Sequence, residues 1–129
     1  MTLGPNQPAG FVPGRHPIDA YGKGGFRFAG MSHQGSILAL PSGVRAWPVT
    51  AARELRPEHF DPVLAEAADV EFLIVGTGLD LFPLPEEIRA RFREAGIALD
   101  WMQTGPAART YNILVAENRR AAAALIAVA

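Results

Sequence analysis

Residues 71–85 read EFLIVGTGLDLFPLP, Glu71 to Pro85. The near-continuous apolar run Val70–Val75 is too short for a helix and does not alternate, which suits a central strand buried on both faces. Gly76-Thr77-Gly78 ends it in the manner of a nucleotide-binding strand and loop. Pro83 and Pro85 postpone the next helix, so the loop reads better as a glycine turn.

Working outward, Pro85-Glu86-Glu87 opens a helix with acids at the positive end of its dipole. Leu84, Ile88, Phe92 and Ala95 line one side, and Gly96 is a natural C-cap. Ile97, Leu99 and Trp101 alternate as a strand. Thr104 fits an N-cap with Pro106 in the first turn, and Ala107, Tyr111, Leu114 and Val115 form a buried face. Asn118 suits the left-handed stop. Ala121–Val128 is open between helix, from its alanines, and buried strand, from its Leu-Ile-Ala-Val end. Upstream, Pro57 starts a helix whose Phe60, Val63, Leu64 and Ala67 follow helical spacing. Before it come two hairpins. One runs from Ile18–Tyr21 to Phe26–Phe28 around a longer glycine loop, the other from Ser36–Leu40 to Val44–Trp47 around Pro41-Ser42-Gly43. Residues 1–17 hold four prolines and read as an extended or disordered lead to one globular domain over 18–129. Two hairpins followed by α-β-α-β-α-β predict an α/β domain with a mixed sheet, covered by helices and a β-hairpin layer.

The composition narrows function by exclusion. The chain has 129 residues, 49% of them hydrophobic, enough for one core. A net charge of −1 gives no electrostatic case for nucleic acid. No cysteine is present, which removes disulfides, thiol nucleophiles and thiolate metal sites. No apolar run is long enough to span a bilayer and no signal pattern opens the chain, so a cytoplasmic protein is expected.

The motifs are weighed on their chemistry. A dinucleotide fingerprint needs a third glycine where Leu81 stands, although Asp100 lies at the spacing of a ribose-binding acid. A Walker loop is excluded, since no Gly-Lys-Ser/Thr follows. The start of the helix at Thr104, with Arg109 and Asn112 three apart on one face, suits a small anion or a partner surface. Its structural reading is an Arg–carboxylate pair and an Asn bonded to a neighbouring loop. His16, His33 and His59 lack metal-ligand spacing, and no serine sits in a hydrolase elbow. Arg89, Arg91 and Arg93 spread round their helix as a solvated face. No cofactor is expected.

Several segments resemble a known family. They are Ile18-Asp19-Ala20-Tyr21-Gly22, Gly24-Gly25-Phe26-Arg27-Phe28, Ser32–Ser36, Leu73–Gly78 and, most specifically, Arg109-Thr110-Tyr111-Asn112. Together they are similar to a small family of uncharacterised domains whose human member is the mitochondrial complex I assembly factor three. The resemblance runs from about Ile18 to Val128. It implies a three-layer fold with a five-strand mixed sheet containing one antiparallel strand, which favours a strand for the tail. Glu117-Asn118-Arg119 stands where the family usually has Glu-Gly-Arg, and asparagine serves the same left-handed turn. The family brings no established catalytic chemistry.

Two functions follow as expectations. The first is a non-enzymatic, bacterial interaction protein assisting assembly of respiratory complex I or another membrane complex. Its partners would be respiratory subunits or assembly factors, with peripheral membrane association through a partner and homo-oligomers allowed. Its contact surfaces would be the Arg109/Asn112 face and the hairpin layer. The second is a small-anion-binding or enzymatic domain whose crevice lies between the Gly76–Gly78 loop and the Thr104–Arg109 helix start. Gly76, Gly78, Thr104, Arg109 and Asn112 are the candidate residues.

Overall fold

A computed structural model describes residues 11–129. The strands are β1 (Val12–Pro13), β2 (Ala20–Gly22), β3 (Gly25–Phe28), β4 (Met31–Gln34), β5 (Ile37–Ala39), β6 (Gly43–Ala46), β7 (Phe72–Gly76), β8 (Ala98–Met102) and β9 (Ala121–Leu125). The α-helices are α1 (Asp61–Leu64), α2 (Glu86–Ala95) and α3 (Thr104–Ala116). The main sheet runs β1-β6-β5-β9-β7-β8, and β2-β3-β4 form a second, antiparallel sheet.

The register decides the topology. β7 is parallel to β8 and β9, while β5 is antiparallel to both β9 and β6. β6, β9, β7 and β8 therefore run one way and β5 runs against them. That is the expected five-strand mixed sheet with one antiparallel strand, extended by the two-residue β1. Val12 pairs with Val44 and Pro13 with Gly43, so the sheet recruits residues ahead of Ile18. The remainder of the lead, residues 1–10, lies outside the described residues.

The layers follow from strand alternation. Leu73, Val75, Ala122 and Ala124 face Ile88 and Phe92 of α2, together with Trp47, Phe60 and Val63. Ile74, Ala121, Ala123 and Leu125 face Ala107, Ala108 and Tyr111 of α3, together with Phe26 and Phe28 of the small sheet. The tail is the strand between β5 and β7, buried throughout. Its alanines are small enough for layers on both faces to close on the sheet, and a position between two paired strands overrides their helix preference. On the α2 side, Phe60 makes edge contacts with Trp47 and Phe92 at centroid distances of 5.5 and 5.3 Å.

Three local expectations are corrected. The first hairpin has no long loop: Gly22 pairs with Gly25, leaving Lys23-Gly24 as a two-residue turn with positive φ at both positions. That turn matches the twist of its strands. Ala29-Gly30 repeats the device and adds β4, which its polar Met-Ser-His-Gln sequence concealed. The helix expected from Pro57 is instead a 3-10 turn over Pro57–Phe60, the short α1, and a further turn over Ala67–Asp69. Pro62 lacks an N–H and its ring opposes the carbonyl four residues back, so the helix cannot run through. Phe60 and Val63 are buried all the same. Gly96 and Asn118 take the left-handed conformation expected of them.

Candidate functional site

The C-terminal end of the parallel strands is where an open α/β sheet binds ligands. Gly76 closes β7 there, and α3 begins directly against it. A Cβ on Gly76 would lie 2.9 Å from the Cα of Thr104 and 3.0 Å from a methyl of Leu125. Glycine is required because the helix start rests on the strand, not because a phosphate approaches it.

Thr104 is fully buried and is not the N-cap; Gln103 occupies that place. The Thr104 hydroxyl accepts the Gly78 N–H at 2.9 Å and donates to the Ile126 carbonyl at 2.7 Å. The Thr104 N–H donates to the Gly78 carbonyl at 3.0 Å. This side chain ties β7, α3 and the segment after β9 together. Gly76, Gly78 and Thr104 do converge, but as a packed junction whose polar groups satisfy one another. The crevice expected between them is closed. The groove open at this edge lies on the other side of the loop, about 340 Å³ lined by Thr77, Gly78 and Asp80 together with Arg53 and the chain end. Neither Thr104 nor Arg109 lines it.

Arg109 and Asn112 lie further along α3. The Asn112 amide accepts the Ile18 N–H and donates to the Ile18 carbonyl, both at 2.8 Å. It imitates a paired strand residue and fixes the chain entering β2, which accounts for an asparagine inside a helix. Arg109 is exposed, with no ion pair among the described residues. It borders a groove of about 470 Å³ with Asp19, Tyr21 and Ala108.

The residues that the sequence reading passed over are apolar. Among the described residues, the exposed large hydrophobics are Leu79 (67%), Leu81 (60%), Ile113 (58%) and Tyr21 (46%). Three are tied to α3. The Leu79 carbonyl accepts from the Gln103 side chain at 2.8 Å. The Tyr21 ring lies over Gly105, where a Cβ would meet its hydroxyl at 2.3 Å. Ile113 is one helical turn from Arg109 on the same helix. The loop carrying the leucines is held firmly: the Thr77 hydroxyl donates to the Asp80 carbonyl at 2.7 Å and Gly78 is fixed as above. The sequence signal was a pair of leucines flanking Asp80 beside two prolines, where no amphipathic period assigns them to a core.

The ionisable groups show no catalytic pairing. Glu86 is held below the usual carboxyl range, first by its hydrogen bond and charge contact with Arg93 and then by Arg89. It anchors a solvated face of α2, as expected for that arginine series. Glu54 is lowered by bonds from the Thr50 hydroxyl and backbone, and Tyr111 is raised by burial. Among the described residues, no group of three or more His, Asp or Glu side chains is placed to hold a metal. No helix there is long and apolar enough to cross a membrane.

Comparison with known proteins places this geometry in a family. The family described as protein of unknown function DUF498/DUF598 matches residues 18–126, and the chain belongs to it. An uncharacterised protein of Rhodobacter capsulatus is 36% identical over 124 residues, covering 96% of this chain and 93% of its own. The NADH dehydrogenase [ubiquinone] 1 alpha subcomplex assembly factor 3 of Homo sapiens is 31% identical over 109 residues, which is 84% of this chain. The chain spans 59% of the length of that human relative. Among solved structures, a Bartonella henselae protein described as an outer membrane protein superposes with a TM-score of 0.88 at 50% identity. That match covers 91% of this chain and 98% of the other.

Proposed function

We propose that this protein is a non-enzymatic interaction module that assists assembly of a membrane respiratory complex, complex I foremost. The observation that carries the reading is the set of exposed apolar side chains on the loop after β7, on β2 and on α3. Leu79, Leu81, Tyr21 and Ile113 are all exposed. Tyr21 lines one groove with Arg109, and Ile113 lies one turn beyond Arg109 on α3. Exposed apolar groups on an ordered loop and helix are characteristic of a surface that a partner covers. Tyrosine and arginine are the residue types that most often anchor such contacts. The relatives named as assembly factors of NADH dehydrogenase support the choice of partner. The self-satisfied polar groups at the Gly76–Thr104 junction support a scaffold rather than a catalyst.

In this reading Gly76, Gly78 and Thr104 fix the start of α3, Asn112 holds the β2 arm, and Arg109 is the charged contact. The module is a single domain over residues 18–129 whose main sheet also takes in β1 (Val12–Pro13). It works in the cytoplasm and meets the membrane through its partner, and self-association through the same patch belongs to the same reading. Affinity capture from native membranes tests it, using the wild type beside a Leu79→Ser, Leu81→Ser, Ile113→Ser triple variant of unchanged melting temperature. Respiratory-complex subunits should be retained by the wild type and lost by the variant. Capture of none by either, or equal capture by both, contradicts the proposal.

A further inference from the structure

The two edges of the six-stranded sheet are unlike. β1 is two residues long and contains Pro13, so it offers little to a further strand. β8 is five residues long and, among the described residues, pairs only with β7. The Ala98 N–H donates to Glu71 and the Met102 carbonyl accepts from Thr77, so the even-numbered residues bond inward. Leu99 and Trp101 therefore turn their N–H and C=O groups outward. The Trp101 N–H is taken instead by the Asp100 side chain, whose Oδ1 accepts it at 2.9 Å.

We propose that Asp100 guards this edge, and that without it β8 pairs with β8 of a second copy of the chain. The guard acts twice. Its carboxylate occupies the outward donor that an incoming strand needs. In the antiparallel two-fold register that joins Leu99 to Trp101 of the second copy, Asp100 also faces its own counterpart. Cβ atoms directly opposite in such a pair stand about 4.5–5.5 Å apart, and like charges there oppose pairing. Strand edges left flat and unguarded are templates for association. The inference is independent of the exposed apolar residues on the loop after β7, on β2 and on α3.

Sedimentation of Asp100→Ala at high concentration, beside the wild type and Asp100→Lys, tests this. The alanine variant should show about twice the wild-type mass, with exchange of the Leu99 and Trp101 amides slowed at least tenfold as concentration rises. The lysine variant restores a like charge across the two-fold and should keep the wild-type mass. Because the chain has no cysteine, Asp100→Cys gives a second readout. Its thiols should oxidise to a linked dimer well before those of an exposed control, Glu117→Cys. Wild-type mass and exchange in Asp100→Ala, or equal oxidation of the two thiol variants, overturns the proposal.

Discussion

Thr104→Val is the sharpest test of the junction at the sheet's C-terminal end. Valine keeps the branched shape and nearly the volume, so the β7–α3 contact survives and only the hydroxyl is lost. Two buried backbone groups then lose their partner: the Gly78 N–H, 2.9 Å from the hydroxyl, and the Ile126 carbonyl, 2.7 Å from it. Each unsatisfied buried group costs roughly 1–3 kcal/mol, so the variant should lose about 2–6 kcal/mol of stability. Unfolding entropy of about 2.1 cal/mol/K per residue makes a loss of about 3 kcal/mol equivalent to a fall of roughly 11 °C in Tm. Thr104→Ser keeps both bonds and removes one methyl group, at about 1 kcal/mol. Urea and thermal unfolding of the three proteins measure the difference. If valine proves no more damaging than serine, the hydroxyl does not hold the junction and the reasoning fails.

Gly76→Ala should cost about 1–3 kcal/mol by overpacking, because its Cβ has no space beside Thr104 and Leu125; chemical denaturation reads this directly. Asn112→Ala removes both bonds to Ile18 and should cost about 1–3 kcal/mol. It should also open Arg15–Ala20 to limited proteolysis under conditions where the wild type resists. Tyr111→Phe should be neutral or stabilising at pH 7, because the buried hydroxyl has no hydrogen-bond partner among the described residues. Burial raises the Tyr111 phenol, so its contribution is present below the ordinary tyrosine value of about 10 and lost as pH climbs through the folded value. Unfolding curves at rising pH should therefore show the wild type losing stability above about pH 10 faster than the phenylalanine variant.

Where one period dominates, the sequence discloses the fold. Val70–Val75 and the stripe of α2 each have a single reading; β7 is buried between two layers and Leu84, Ile88 and Phe92 are buried, while Ala95 at the end of the stripe is exposed. Ala121–Leu125 was open because alanine's helix preference is local, whereas its strand comes from two paired neighbours distant in sequence. β4 was hidden because an edge strand of a small sheet needs no apolar alternation. The broken helix after Pro57 was legible in Pro62, whose cost outweighs the spacing of Phe60 and Val63.

At the site, a mid-helix asparagine signals a backbone need and Asn112 meets one at Ile18, whereas Thr104, read from its type as an N-cap, is a buried link to Gly78 and Ile126. Which backbone they answer, Gly78 with Ile126 or Ile18, is set by the fold. Leu79, Leu81 and Ile113 carry no mark of their exposure in a one-dimensional pattern. For the two leucines it appears only when their loop is held by Gln103 and Thr77, and for Ile113 when α3 docks on the sheet through Ala107, Ala108 and Tyr111.

The central claim is that the exposed apolar residues of the loop after β7 and of α3 serve assembly of a membrane respiratory complex. Its most direct measurement is complex I content on native gels of membranes from a deletion strain, complemented with the wild type or with the Leu79→Ser, Leu81→Ser, Ile113→Ser variant. The account predicts depleted complex I in the deletion, recovery with the wild type, and continued depletion with the folded variant at equal abundance. Full complex I in the deletion strain, or full rescue by the variant, would contradict it.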